Sequence, residues 1–139
     1  MGKYLIGLAG VLSVGIAFVH VIGGGLDVHS PILSSDLSDL LKGYVSVLWH
    51  GVTSAIILGS VLLLIAAWHQ PVRVTLTLIV IAQYAAFAGV FIYYGILRFQ
   101  SVVEMPPWIG FCVIISTAMV GLWVDNRDMK RSMKKVSLV

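Results

Sequence analysis

Charged residues are scarce in this sequence. Only 11% of its 139 residues are Asp, Glu, Lys or Arg, and 59% are hydrophobic, whereas average soluble domains carry about 25% charged residues. One small core cannot bury so much apolar surface, and the mean hydropathy of +1.00 agrees with this argument. The composition therefore disfavours a water-soluble fold and indicates that lipid covers most of the apolar surface.

Reactive motifs are also missing. Cys112 is the single cysteine, which excludes an intrachain disulfide and CxxC-type zinc or redox motifs. The sequence has no GxSxG, no HExxH and no P-loop, so we expect a non-catalytic protein rather than a hydrolase or a nucleotide-dependent enzyme. The apolar runs contain no carboxylate or basic group of the kind that ion-coupled carriers keep in the membrane, which makes a small oligomeric transporter the weakest alternative.

Charged residues delimit four uninterrupted apolar runs. Each run exceeds the roughly 20 residues that a transmembrane helix needs, and the backbone of a segment in lipid must form its hydrogen bonds within that segment. The sequence therefore predicts an all-α polytopic membrane protein, an antiparallel bundle of four transmembrane helices that forms a single membrane domain over residues 1–139. The predicted spans lie near residues 4–25, 44–68, 74–98 and 107–124.

The distribution of Lys and Arg predicts the orientation. Seven of the nine basic residues lie on the side that holds both termini, and only Lys42 and Arg98 lie on the other. We therefore expect both termini in the cytoplasm of a bacterial cell, with the bundle in its inner membrane. The basic tail, residues 125–139, is expected to extend the fourth helix towards anionic headgroups, so that membrane lipids, and not nucleic acid, are the predicted partner.

The longest connection, residues 26–43, carries helical signals of its own. Ser30-Pro31 suits an N-cap followed by the first helical position, and leucines recur at helical spacing at positions 33, 37, 40 and 41. This pattern predicts a short amphipathic helix on the outer surface. We expect that helix to end where Gly43 leads into the second span.

Two histidines, His20 and His50, lie within predicted spans. At about 1.5 Å per residue, both are expected about 8–9 Å below the outer boundary. The same layer would hold Tyr94 of the third span and Cys112 of the fourth, with His29 in the adjoining outer loop. Polar side chains at such depth either tie helices together or mark function.

This layer suggests three ligands. A b-type haem would take His20 and His50 as axial ligands, and a quinone would be bound by the same histidines and the Tyr94 hydroxyl. A copper or zinc ion would be bound by His20, His50 and Cys112. Each ligand would make the protein a redox or metal-binding membrane subunit.

The alternative from a different class is a non-catalytic accessory or scaffold subunit. Small residues recur on one face of several predicted spans, for example at Ala82, Ala85, Ala86 and Gly89, and such stripes let helices approach closely. This pattern favours a homo-oligomer or a larger membrane complex.

Overall fold

Four long helices make up the fold. The computed structural model describes residues 1–136, with side chains through residue 133, and this part of the chain contains no strand. Each helix is long and apolar enough to cross a membrane, which confirms the predicted all-α bundle of four helices and suggests an integral membrane protein. We number them α1 Gly2–Leu33, α2 Asp39–Trp68, α3 Gln70–Phe99 and α4 Pro107–Val136.

The helices pack as a ring. α1 contacts α2 and α4, and α3 contacts the same two helices, so that α1 and α3 lie diagonally across the bundle. Short connections make consecutive helices antiparallel. One end of the bundle holds His20 and is called the histidine end below, and the other holds Arg73 and is called the arginine end.

The amphipathic surface helix predicted for residues 26–43 is not a separate element. Residues Ser30–Leu33 are helical, but they continue α1, and Gly43 lies inside α2. Within the connection 26–43, only residues 34–38 are non-helical. The Ser38 hydroxyl accepts a hydrogen bond from the Leu41 N–H at 3.4 Å, which caps the start of α2. The helical backbone keeps its hydrogen bonds through Gly43. These hydrogen bonds outweigh the penalty of about 1 kcal/mol for a glycine in a helix.

The predicted basic tail forms part of α4, which is helical through Val136. This agrees with the expected extension of the fourth helix. The last residues of the tail, 137–139, lie outside the described residues, as do the side chains of Lys134 and Lys135.

Small residues bring α1 close to both of its neighbours. Gly10, Ser13 and Ala17 are buried, as their common helical face predicts. A Cβ on Gly10 would lie 2.9 Å from the Leu64 side chain, and a Cβ on Gly121 of α4 would lie 2.8 Å from that of Ile6. These contacts define which levels of the helices face one another.

A buried hydroxyl network joins three helices at the centre of the bundle. The Ser13 hydroxyl of α1 is hydrogen-bonded to Ser60 of α2 at 2.7 Å and to the phenol of Tyr84 on α3. The Tyr84 hydroxyl also donates to the Ile56 carbonyl at 3.1 Å. All three hydroxyl-bearing residues are buried, and the network gives each of their polar groups a partner inside the bundle.

At the arginine end, one buried guanidinium connects three helices. Arg73, at the start of α3, donates from Nη1 to both carboxylate oxygens of Asp125 on α4 at 2.8 Å. Its Nε and Nη2 donate to the carbonyls of Ala66 and Ala67 at 3.0 and 3.1 Å. These carbonyls belong to the last turn of α2, where intrahelical donors run out, so Arg73 caps α2 and anchors α4 together.

We expect Arg73→Ala to destabilise the protein strongly. The substitution leaves Asp125 partly buried without its counter-charge and removes the side-chain cap of α2. The free energy of unfolding should fall by about 3 kcal/mol, as measured by dodecyl sulfate titration in mixed micelles. Arg98→Ala is the matched control, because Arg98 is exposed near the histidine end. Equal stability of the two variants would contradict the assigned role of Arg73.

Candidate histidine–tryptophan site

Three histidines surround one tryptophan at the histidine end. The His20 imidazole stacks on the Trp49 indole with ring centroids 4.2 Å apart and planes 17° from parallel. The His29 imidazole stacks on the same indole at 5.2 Å and 3°. His50 meets the edge of His29 at 5.6 Å. Two helices, α1 and α2, therefore supply the whole cluster.

The pitch of α1 brings His20 and His29 to the same indole. Residues His20–His29 form a π-helical segment, in which each residue turns the chain by about 80° rather than the roughly 100° of an α-helix. Nine residues then make about two complete turns, whereas in an α-helix they would make about two and a half and place His29 on the opposite face. The π-helical segment is thus the reason that both imidazoles face α2.

Gly24 provides the space for the indole. It lies midway between the two histidines, and a Cβ there would stand 2.9 Å from the Trp49 ring. The neighbouring Gly25 has open space at the same position, with no atom within 4 Å. Trp49 therefore packs against the bare backbone of α1 between His20 and His29.

Hydrogen bonds hold the two partly buried imidazoles. His20 Nε2 lies 3.5 Å from the Trp49 carbonyl oxygen, to which it donates, and the Thr53 hydroxyl donates to the same carbonyl at 2.9 Å. His29 Nε2 is hydrogen-bonded to the Ser46 hydroxyl at 3.1 Å. Among the described residues, His50 has no such hydrogen-bond partner, and it is exposed, so its ring nitrogens are available to a ligand.

The structure does not place His20 and His50 as an opposed pair. Leu64 packs against Gly10, so in the antiparallel helices residue 54 is level with His20, and His50 lies about one turn closer to the histidine end. His20 is occupied by Trp49 on its ring face and by a carbonyl at Nε2. A haem with two histidine ligands requires facing imidazoles with free ring nitrogens, and these contacts of His20 do not favour that arrangement, so the haem hypothesis finds no support here.

Tyr94 lies apart from His20 and His29, and Cys112 lies apart from His20. Tyr94 is on α3, diagonally across from α1, and its ring contacts that of Tyr93. Cys112 is half-buried against the core. Gly110 packs on Ile16, which puts Cys112 about 9 Å deeper than His20 at 1.5 Å per residue. Among the described residues no three His, Cys, Asp or Glu side chains form a metal-binding group, so the predicted ligands His20, His50 and Cys112 are not brought together.

An apolar groove runs between α1 and α2 on the outside of the bundle. Its volume is about 310 Å³. On α2 its lining includes Ile57 and Leu64, which follow His50 at intervals of seven residues and so share its helical face. The groove and the exposed imidazole therefore lie on the same face of α2, with Ile57 about two turns from His50. It is lined by Val14, Ala17, Phe18, Val21, Ile57, Ser60, Val61 and Leu64.

The sequence interpretation missed two members of the cluster. His29 is expected in a loop, and the sequence gives no reason to place Trp49 beside the histidines. The run Gly23-Gly24-Gly25 was the available signal, because glycine permits unusual backbone geometry and close approach of a ring. The groove was not predicted, since it depends on how α1 and α2 pack.

No family model matches this chain, and no curated protein or solved structure is significantly similar to it. The fold and composition define the class, a small membrane protein built from four helices. The histidine–tryptophan cluster and the groove are the features from which a function has to be argued.

We expect Gly24→Ala to displace Trp49, because the added methyl group overlaps its ring. The variant should lose about 1–3 kcal/mol of stability and should show altered tryptophan emission and acrylamide quenching. Gly25→Ala, the matched control in the same π-helical segment, should keep the wild-type spectrum. Identical spectra for both variants would show that Trp49 does not pack on Gly24.

Proposed function

We propose that the protein is a membrane subunit that binds a quinone-class lipid at the histidine end. The polar head would lie beside His50 and His29, and the apolar tail would occupy the groove between α1 and α2. The observation that carries the proposal is the shared helical face of His50, Ile57 and Leu64, which joins a hydrogen-bonding imidazole to an apolar groove.

The chemistry of the head group suits these residues. Quinone carbonyl oxygens accept hydrogen bonds, and a neutral imidazole offers one N–H donor. The stacked rings of Trp49 and His29 offer an aromatic surface, and binding sites for small molecules combine such surfaces with a few polar groups. Open space beside Gly25 and Gly51 leaves room for a flat ring.

The groove supports an apolar tail as the other half of the ligand. Its surface is almost entirely apolar, and it lies within the apolar part of α1 and α2. His50 stands about 10 Å from the level of Ile57 at 1.5 Å per residue, which matches a head group near the membrane surface and a tail below it. The proposal concerns binding and assigns no catalytic step.

The basic residues support an orientation for this site. Because Lys and Arg are concentrated at the arginine end, that end is proposed to face the cytoplasm of a bacterial cell. The quinone head would then lie in the outer leaflet of the inner membrane.

Titration with decylubiquinone tests the proposed function. Wild-type protein in nanodiscs should bind it saturably. Binding is measured by the quenching of tryptophan fluorescence, compared with the quenching of free tryptophan mixed with empty nanodiscs. His50→Ala should weaken binding about tenfold, since one hydrogen bond and its surface are lost. His69→Ala is the matched control, because His69 is exposed at the arginine end. Non-saturable quenching, or equal affinity in both variants, would refute the proposal.

The accessory-subunit alternative is favoured by one observation on α3. Ala82, Ala85, Ala86 and Gly89 are exposed on the outside of the bundle, where a stripe of small residues allows close packing of another helix. A second copy of the chain would be the simplest partner.

Substitution on this stripe tests self-association. If two copies pack through α3, Ala86→Leu should lower the dimer fraction seen by native mass spectrometry, because the larger side chain separates the helices. Val120→Leu on the exposed surface of α4 is the control and should leave the fraction unchanged. A wild-type protein that is monomeric at all concentrations would remove this alternative.

A further inference from the structure

A basic surface lies on α4 at the arginine end. Trp123, Asn126, Arg127, Lys130 and Arg131 line a shallow depression of about 420 Å³. The Trp123 side chain is 62% exposed, and the Arg127 guanidinium lies over its ring, 5.4 Å from the centroid. The depression combines three cationic groups with one exposed indole.

The acidic residues of the same turns point elsewhere. Asp125 faces Arg73 on the neighbouring α3, and Asp128 lies 3.5 Å from the Met1 amino group, next to α1. Helical spacing puts both carboxylates on the side of α4 that packs against the bundle, whereas Arg127, Lys130 and Arg131 lie on the other side. Among the described side chains, no carboxylate forms an ion pair with these three basic residues.

The position of this surface along α4 matches the headgroup layer of a membrane. The apolar part of α4 leads directly into it, and an exposed tryptophan is typical of the boundary between lipid tails and headgroups. At the same end of the bundle, Lys3 lies 5.1 Å and 5.5 Å from the ring centroids of Tyr4 and Trp68. Aromatic and cationic side chains thus recur together at the level where phosphates begin.

We infer that this surface binds the phosphate of an anionic phospholipid. The guanidinium groups of Arg127 and Arg131 and the Lys130 ammonium would donate to the phosphate oxygens, and Trp123 would pack against the glycerol and the upper acyl chains. Charge complementarity selects an anionic over a zwitterionic headgroup, because the described surface offers cations and no facing carboxylate. This inference is independent of the proposed quinone site, which lies at the opposite end of the bundle.

Lipid retention in nanodiscs tests the inference. Wild-type protein is placed in nanodiscs made from an equimolar mixture of phosphatidylglycerol and phosphatidylcholine. The protein is released from the nanodiscs in the mass spectrometer, and the lipids that stay bound to it are counted. Phosphatidylglycerol should be enriched above the bulk ratio. Replacing Arg127, Lys130 and Arg131 by Gln should reduce the enrichment more than tenfold, since each basic residue near anionic lipid contributes about fivefold.

Two controls make the result specific. A double variant, Lys42→Gln with Arg98→Gln, removes charge outside this surface and should keep the enrichment. Dodecyl sulfate titration should show that the triple variant is folded, because the substituted side chains are exposed and Asp125 keeps its partner.

The inference is overturned if wild-type protein retains the two lipids in the bulk ratio, or if the triple variant keeps its preference. It is also overturned if wild-type protein in nanodiscs of phosphatidylcholine alone binds inorganic phosphate but shows no enrichment of phosphatidylglycerol in the mixture, since the surface would then bind a free ion only.

Discussion

Polar groups inside an apolar bundle have to find partners there, because lipid offers no hydrogen bonds. The arrangement of the helices follows from this constraint. Arg73 lies at the junction of α2, α3 and α4, where it meets a carboxylate and two carbonyls that would otherwise lack partners. Ser13, Ser60 and Tyr84 do the same for α1, α2 and α3 at the centre. Apolar surface alone would allow each helix to take many orientations about its own axis. The polar contacts require the orientation in which each polar side chain meets its partner.

The existence of the helices was predictable from the sequence, and their partners were not. Charge-free runs of about 20 or more residues have one economical structure in lipid, so the bundle could be predicted. From the sequence, Arg73 is only a charge that bounds two spans and counts towards the orientation, because its partner Asp125 is 52 residues away and nothing local connects the two. Tyr84 was unremarkable for the same reason, since its hydroxyl partners belong to other helices.

The candidate site depended on a quantity that the sequence interpretation assumed, namely the pitch of α1. With α-helical spacing, His20 and His29 fall on opposite faces, and the glycine run resembles the end of a span. The π-helical segment reverses both conclusions, since it continues the helix and turns His29 towards Trp49. His50 was correctly placed on α2, but its ring contacts His29, and its expected partner His20 stacks on Trp49 instead.

The π-helical segment is the most unusual structural feature of the histidine end. π-Helical turns are rare and occur mostly as single turns, yet this segment spans 10 residues and none of its residues is buried. Burial of apolar surface therefore contributes little to its stability. Its main described contacts with α2 are the stacked rings, the hydrogen bonds of His20 and His29, and the packing of Trp49 on Gly24. An ordinary α-helix would cross the membrane equally well but would separate these histidines. A geometry that is costly for the backbone and is stabilised mainly through the histidine cluster makes the cluster itself the feature to explain.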